Sequence, residues 1–124
     1  MVKTIQTKKA PAAIGAYSQA VEKGNLLFIS GQLPINPETN EMSESIVEQA
    51  EQSLRNIQAI LSASDMTLEH VVKNTIFVTS LEQAAAVNEV YAKFFRETQP
   101  ARAMVGVKEL PKNASIEIES IAMR

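Results

Sequence analysis

The chain has 124 residues, 45% of them hydrophobic and 21% charged, with a net charge of −2 and no cysteine. A chain of this length buries roughly two-thirds of the surface that its unfolded form exposes, and its composition is typical of globular proteins. The absence of cysteine excludes disulfides, thiolate nucleophiles and thiolate metal ligands. The small negative charge gives no general attraction to nucleic acid or to anionic lipid.

No Gly/Ser linker, repeat or low-complexity tract divides the chain, so we predict a single domain over residues 1–124. Residues 1–13 carry three lysines and lack the apolar core of a signal peptide. No apolar run approaches the roughly 20 residues needed to span a bilayer. These features predict a cytoplasmic protein without a membrane partner.

The first half of the chain predicts a short N-terminal strand, a β-hairpin and a helix. The hairpin pairs residues 17–22 with the apolar run at residues 26–30 through a tight turn. A helix over residues 46–63 follows the capping-box spacing of Ser45 and Glu48. Its predicted apolar stripe consists of Val47, Ala50, Leu54, Ile57 and Leu61.

The second half of the chain predicts three strands and a second helix. The strands are at residues 72–79, 101–107 and 115–123. Ser80 and Gln83 repeat the capping spacing for a helix that ends before Pro100. Its predicted buried face consists of Ala84, Val87, Tyr91 and Phe94. The order ββαβαββ after the first strand indicates an α+β fold in which two helices cover one face of a sheet.

The final strand carries apolar residues on both sides. Period-2 alternation places Ile116 and Ile118 on the helix side, and Glu117, Ile121 and Met123 on the other side. If this second side were exposed, Ile121 and Met123 would form an apolar patch in contact with water. We therefore predict that this outer face of the sheet is covered by self-association.

The same alternation assigns the two sides of the strand at residues 101–107. Toward the helices it places Ala103, Val105 and Val107. It leaves Arg102, Met104 and Gly106 on the outer face, where a subunit junction is expected.

Several kinds of catalytic and binding site are excluded by residue counts. His70 is the only histidine, so a zinc site and a serine triad lack their usual partners, and we expect His70 to be exposed or to cap a turn. The four glycines form neither a phosphate-binding loop nor a dinucleotide fingerprint. The sequence therefore predicts neither a cofactor nor a metal.

General acid–base chemistry or electrostatic binding remains, since an arginine, a carboxylate and backbone groups suffice for both. Arg102 is the natural anchor for a small carboxylate-bearing ligand, but an ion pair with Glu117 or Glu119 on an adjacent strand fits the sequence equally well. Taken alone, each of the other candidates also has a plain structural interpretation. Glu117 fits a solvated carboxylate on a strand, Tyr17 fits a packing residue, and Asn88 fits the polar surface of a helix.

Four segments together resemble one protein family. They are APAAIGAYSQ at residues 10–19, ISGQLP at 29–34, PAR at 100–102 and LPKNASIEIE at 110–119. The resemblance is to the reactive-intermediate deaminase family, also called RidA or YjgF. It runs in register from Lys3 to the C-terminus without a large insertion.

The resemblance implies a chorismate-mutase-like α+β fold with a mixed β-sheet and two helices packed on one face. It also implies a homotrimer with a central β-barrel and three ligand clefts between subunits. Members of the deaminating branch hydrolyse enamine/imine intermediates such as 2-aminoacrylate to a 2-oxo acid and ammonia. Neither a cofactor nor a metal is implied.

Carried over residue by residue, the resemblance implies that Arg102 grips the substrate carboxylate through two parallel N–H bonds. It implies that Glu117 holds or activates the water that attacks the imine carbon. The positions that match cleft-lining residues are Tyr17, Ser30, Gly31, Asn88 and Met104.

The chain departs from the family pattern at four positions. Met104 stands where many members carry cysteine, Ala103 where serine or threonine is usual, Gln99 where an aromatic residue is common, and Gly106 where glutamate is frequent. A bulkier Met104 is expected to change the range of substrates more than the type of reaction.

Two other functions stay open at this point. The Arg102 cleft could bind 2-oxo acids without turnover, as a sensor or as a regulatory trimer. The translation-inhibiting or RNA-cleaving activity ascribed to some family members fits poorly with a net charge of −2 and a single histidine.

Overall fold

A computed structural model describes all residues from 1 to 124. Its six strands are β1 Lys3–Ile5, β2 Ala20–Lys23, β3 Leu26–Gln32, β4 Val71–Val78, β5 Ala101–Gly106 and β6 Ile116–Met123. Its two helices are α1 Ile46–Ala63 and α2 Ala84–Phe94. Single turns of 3₁₀ helix lie at Leu68–His70, Leu81–Gln83 and Pro111–Asn113. Neither α-helix is long and apolar enough to cross a bilayer.

The strands form one mixed sheet in the order β1-β2-β3-β6-β4-β5. β4 and β5 are parallel because α2 connects them as a crossover, and all other neighbours are antiparallel. Both helices lie on one face of this sheet. The predicted α+β fold with a mixed sheet is confirmed, and β1 and β5 are its edges.

The core is one continuous cluster of 21 buried apolar residues between the helices and the sheet. α1 contributes Leu54, Ile57 and Leu61 at helical spacing, each of them buried. Burying a side chain of this size stabilises the fold by roughly 1.5–3 kcal/mol. The predicted stripe of α1 is therefore confirmed, except at Val47, which is 47% exposed on the solvent side of the first turn.

The capping predictions have mixed outcomes. The side chain of Ser45 accepts a hydrogen bond from the backbone N–H of Glu48, as predicted for α1. At α2 the prediction is wrong, because neither Ser80 nor Gln83 caps the helix through its side chain. There the chain leaves β4 through a 3₁₀ turn, in which the N–H of Gln83 donates to the carbonyl of Ser80 over 3.2 Å. His70 does cap a turn, since its Nδ1 accepts from the N–H of Thr67 over 2.9 Å.

The strand alternation is confirmed on β6 and wrong on β5. On β6, Ile116 and Ile118 are fully buried under the helices, and Glu117 lies on the outer face. On β5, Arg102 pairs with Asn74 and Met104 with Ile76. Paired residues of neighbouring strands share a face, and Asn74 and Ile76 are fully buried on the helix side.

Arg102 and Met104 therefore face the helices, and Ala103 and Val105 face outward, the reverse of the prediction. The physical reason is that β5 is an edge strand. Its helix side is covered by polar groups of α2 as well as apolar ones, so the more apolar set of β5 residues is not the set that faces the helices.

Candidate active site

A cleft of about 670 Å³ lies beside the β3–β6 strand pair. The segment before β2, the loop after β3 and the turn before β6 form its other walls. Its lining includes Pro11, Ile14, Tyr17, Gln19, Ser30, Gly31, Leu33, Lys112, Glu117 and Glu119. The cleft thus combines apolar walls with two carboxylates and one lysine.

A β-bulge shapes the cleft where β3 meets β6. The register shifts between Ile29 and Gln32, so that β3 has one more residue than β6 over this stretch. The extra residue removes Ser30 and Gly31 from regular pairing with β6. Gly31, which has no β-carbon, leaves the space that the carboxylate of Glu117 occupies.

Gln19 holds the N-terminal wall of the cleft. Its side chain accepts from the N–H of Thr7 over 2.7 Å and donates to the carbonyl of Pro11 over 2.7 Å. The backbone carbonyl of Gln19 accepts from the N–H of Ser30 over 2.9 Å, and the hydroxyl of Ser30 donates to the carbonyl of Ser18 over 2.6 Å. The bulge and the N-terminal segment are therefore fixed to each other.

The carboxylate of Glu117 is half-buried and has no hydrogen-bond or ion-pair partner within the chain. Burial raises its pKa above the ordinary value of a glutamate, and the negative charge of Glu119 raises that pKa further. Lys112 lines the same cleft but forms no ion pair with either carboxylate. A carboxylate of this kind is a stronger base than a solvated one and is free to bind water.

Arg102 belongs to a second cluster, on the helix side of β5. Its Nη1 donates to Oδ1 of Asn88 on α2 over 2.7 Å. Its guanidinium carbon lies 4.8 Å from the ring centroid of Tyr91. Met104, two residues further on the same side, packs against the apolar core.

The structure therefore divides the predicted site residues into two groups. Tyr17, Ser30, Gly31 and Glu117 line the cleft, and Arg102, Asn88 and Met104 lie together at the edge of the sheet. β4 separates β5 from β6, and the two groups lie on opposite faces, so one chain does not bring Arg102 to Glu117.

The open alternatives of the sequence are resolved in part. Arg102 forms no ion pair with Glu117 or Glu119. Tyr17 is not packed in the core, since 54% of it is exposed in the cleft wall. Asn88 is an exposed helix residue, as the plain interpretation predicted, yet it also holds Arg102.

Sequence reasoning missed the roles of Gln19 and Lys112. The hydrogen bonds of the Gln19 side chain to the backbone of residues 7–11 depend on the folded position of that segment. A glutamine next to a strand therefore does not predict them from the sequence. Lys112 adopts a left-handed conformation with φ of 57°, as does Asn113 with φ of 59°. The Pro-Lys-Asn run is typical of a turn, but its composition does not indicate that the turn faces the cleft.

The chain offers no group of three or more histidine, aspartate or glutamate side chains arranged to hold a metal ion. The arrangement that it does offer is a basic carboxylate in a partly apolar cleft and, at the sheet edge, an oriented guanidinium. The first can activate water, and the second can bind a carboxylate.

Comparisons with known proteins agree on one family. The model of the endoribonuclease L-PSP family matches residues 7–124. A RutC family protein of Haemophilus influenzae is 50% identical over 128 residues, covering 100% of this chain and 98% of that protein. The 2-iminobutanoate/2-iminopropanoate deaminase of Escherichia coli strain K12 is 49% identical over 127 residues, covering 100% of this chain and 99% of that protein.

Solved structures give the same result. The chain superposes on the crystal structure of Escherichia coli TdcF with bound serine with a TM-score of 0.96 and 44% identity, covering 98% of each chain. Both the sheet and the helices are therefore shared with that protein. The chain belongs to the endoribonuclease L-PSP family, which is the RidA/YjgF family that its four sequence segments resemble.

Proposed function

We propose that this protein is an enamine/imine deaminase, which hydrolyses 2-aminoacrylate-type intermediates to 2-oxo acids and ammonia. The observation that carries the proposal is the half-buried, unpaired carboxylate of Glu117 in the cleft, with its raised pKa. The deaminase among the relatives at 49% identity supports the same reaction, that of a 2-iminobutanoate/2-iminopropanoate deaminase.

In the proposed reaction the enamine first tautomerises to its imine. Glu117 accepts a proton from a water molecule, whose oxygen bonds to the imine carbon while the C=N electron pair moves to nitrogen. Glu117 returns that proton to the nitrogen, which gives the carbinolamine. Glu117 then transfers the proton of the new hydroxyl group to the amine, so that the C=O bond of the 2-oxo acid forms as the C–N bond breaks and ammonia leaves. Proton transfer by a positioned group of this kind contributes typically 10²- to 10⁴-fold to the rate. No cofactor or metal takes part.

Arg102 binds the substrate carboxylate in this proposal, and it comes from a second copy of the chain. The separation of Arg102 from Glu117 by β4 within one chain supports this arrangement. A charge-assisted contact to a carboxylate is worth about 1.5 to 3 kcal/mol, which corresponds to a roughly 10- to 150-fold effect on binding.

The outer face of the sheet supports self-association. Phe28, Val105 and Met123 are each at least 40% exposed there, and Phe28 pairs directly with Ile121. We assign this face to the central barrel of a homotrimer, with three clefts between neighbouring subunits. A cytoplasmic location is part of the same proposal.

The remaining predicted residues take supporting roles. Tyr17 forms a wall of the cleft, Ser30 ties the bulge to the N-terminal segment, and Gly31 offers its backbone to the ligand. Asn88 holds Arg102 in place. Met104 contributes its backbone, because its side chain packs against the core instead of projecting from it.

A second candidate is a ligand-binding trimer without turnover. The observation that favours it is the solved relative with bound serine, a small carboxylate-bearing molecule. RNA cleavage has less support here, since the chain has a net charge of −2 and its single histidine caps a turn.

The experiment that tests the proposal measures ammonia release from imines generated in situ by an amino-acid oxidase. The unmutated protein should accelerate release, and Arg102→Ala should lose most of this acceleration. Arg55→Ala is the matched control, since Arg55 pairs only with Glu51 on the exposed side of α1 and should keep full activity. Tight 2-oxo-acid binding in calorimetry without acceleration would favour the second candidate.

A further inference from the structure

A chain of buried hydrogen bonds runs from the middle of the sheet to α2. The hydroxyl of Ser120 on β6 donates to Oδ1 of Asn74 on β4 over 2.5 Å. Nδ2 of Asn74 then donates to the phenol oxygen of Tyr91 on α2 over 2.9 Å. Asn74 is fully buried and Ser120 is 2% exposed, so these polar groups satisfy one another inside an apolar core.

The chain of bonds ends at the aromatic ring beneath Arg102. The guanidinium carbon of Arg102 lies 4.8 Å from the Tyr91 centroid, within the range of a cation–π contact. Asn88 accepts from Nη1 of Arg102, and the ring of Phe95 lies 4.7 Å from that of Tyr91. The ring of Tyr91 thus contacts the face of the guanidinium, and Asn88 accepts one of its N–H groups. The other N–H groups of Arg102 have no acceptor within the chain.

A purely structural role does not account for this arrangement. Replacing both partners of a buried hydrogen bond by apolar groups of the same shape is often nearly neutral for stability. The sheet and α2 would therefore pack about as well with apolar residues of the same shape at 74 and 120 and phenylalanine at 91. What the hydrogen bonds add is a fixed position and a fixed tilt for the ring that contacts Arg102.

We propose that Tyr91, fixed by Asn74 and Ser120, is a positioning residue that holds the guanidinium of Arg102 ready for the carboxylate of the ligand. The inference rests on the proposed function, in which Arg102 binds that carboxylate. A free arginine side chain loses rotamer freedom when it binds, and this loss weakens the complex. An arginine already held by Tyr91 and Asn88 avoids most of this loss.

The test uses the intact protein, with 2-oxobutanoate as the binding probe and an imine as the substrate. Tyr91→Leu removes the ring, and Tyr91→Phe keeps the ring but removes its tether to Asn74. We expect Tyr91→Leu to raise both Kd and KM roughly 3- to 30-fold with kcat within about twofold, because a contact made in both ground state and transition state is lost. Tyr91→Phe should show a smaller rise in the same constants.

Selectivity for the carboxylate separates positioning from a loss of stability. The unmutated protein should bind 2-oxobutanoate better than its neutral amide, and Tyr91→Leu should reduce this preference by the same factor as it raises Kd. Ile57→Val is the matched control, since Ile57 is fully buried on α1, whereas the groups that hold Arg102 lie on α2. It should lower the thermal midpoint and leave both Kd and the preference unchanged.

Two results would overturn the positioning role. The first is an unchanged Kd in Tyr91→Phe and in Tyr91→Leu, or in Tyr91→Phe alone if the leucine variant does not fold. The second concerns Tyr91→Leu made in a protein that already carries Arg102→Gln. If the substitution then weakens binding by the same factor as in the unmutated protein, the ring acts without the guanidinium. Failure of the proposed function looks different, because the unmutated protein would then not accelerate imine hydrolysis, whatever the Kd values of the Tyr91 variants for 2-oxobutanoate.

Discussion

The side chain of Glu117 occupies the space that a β-carbon at residue 31 would need. A methyl group on Gly31 would lie 2.7 Å from Oε2 and 2.8 Å from Cδ of Glu117. These distances are shorter than the contacts that non-bonded atoms adopt. Gly31 is therefore required by close approach to a side chain, and its backbone does not need a positive φ.

We expect Gly31→Ala to reduce kcat for imine hydrolysis about 10²-fold, because the added methyl displaces the carboxylate from the position where it meets water. The unfolding free energy should change by less than about 1 kcal/mol, since the displaced group is the end of a flexible side chain. Gly106→Ala is the control: its methyl would lie 3.1 Å from Cγ of Leu81, away from Glu117. Equal kcat values for Gly31→Ala and Gly106→Ala would contradict the role of the Glu117 carboxylate in imine hydrolysis.

Glu117→Gln should slow catalysis strongly while stabilising the fold. The amide cannot accept the proton of water, so we expect kcat to fall about 10²- to 10⁴-fold. The folded-state pKa of Glu117 is raised, so its protonated form is favoured by folding, and the stability it contributes at low pH is lost as pH rises through the folded pKa.

At neutral pH the ionised carboxylate of Glu117 therefore destabilises the protein, and the glutamine variant should unfold at higher denaturant concentration. Because the group is half-exposed and screened by solvent, the gain should stay below about 1 kcal/mol. Urea titrations at pH 4 and pH 7 check the sign, since the gain should shrink at the lower pH. A variant that is less stable at pH 7 would refute the desolvation argument.

The activity should depend on pH through Glu117, with kcat/KM rising as its carboxyl loses a proton. Glu119→Gln removes the negative charge that helps to raise the pKa of Glu117. The acidic limb of the profile should therefore move to lower pH in this variant. Burial is the larger cause of the shift, so part of it should remain. Profiles that superimpose would show that the charge of Glu119 does not act on the carboxyl group of Glu117.

Ile121→Glu should break the proposed trimer, because it would bury an unpaired charge at the interface that we assign to the outer face of the sheet. Sedimentation should show a smaller species, and imine hydrolysis should be lost with it. Val47→Glu provides the control: Val47 is also an exposed apolar residue, but it lies on the solvent side of α1. A trimer that persists in Ile121→Glu would place the interface elsewhere.

Local patterns in the sequence predicted most of the fold. The bounds of α1 at Ile46 and Ala63 agree with the structure, as does the alternation of Ile116 and Ile118 on β6. The first residues of β2 and the last of β3 differ, since β2 begins at Ala20 and β3 continues to Gln32. At these two ends the strand pairing is set by the bulge between Ile29 and Gln32 and by its hydrogen bond from Ser30 to Gln19, and not by the strand propensity of the side chains.

The candidate site was predicted as a set of residues but not as an arrangement. The family resemblance implies that Tyr17, Ser30, Gly31 and Glu117 belong to the site, and they do line one cleft. The outward position predicted for Arg102 was wrong, because alternation gives two possible faces and the choice depends on what covers the strand. The polar partner on α2 that decides this, Asn88, is 14 residues away in sequence.

The sequence by itself determined most of the secondary structure and the apolar core, because hydrogen bonding within helices and the periodicity of strands are local properties of the chain. It also determined the family, through the four segments at residues 10–19, 29–34, 100–102 and 110–119. Only the tertiary structure decided the bulge at Gly31, the clamp of Gln19 and the placement of Arg102 and Glu117 on opposite faces. These depend on strand register and on contacts between distant residues. Neither is encoded in the spacing of neighbouring side chains.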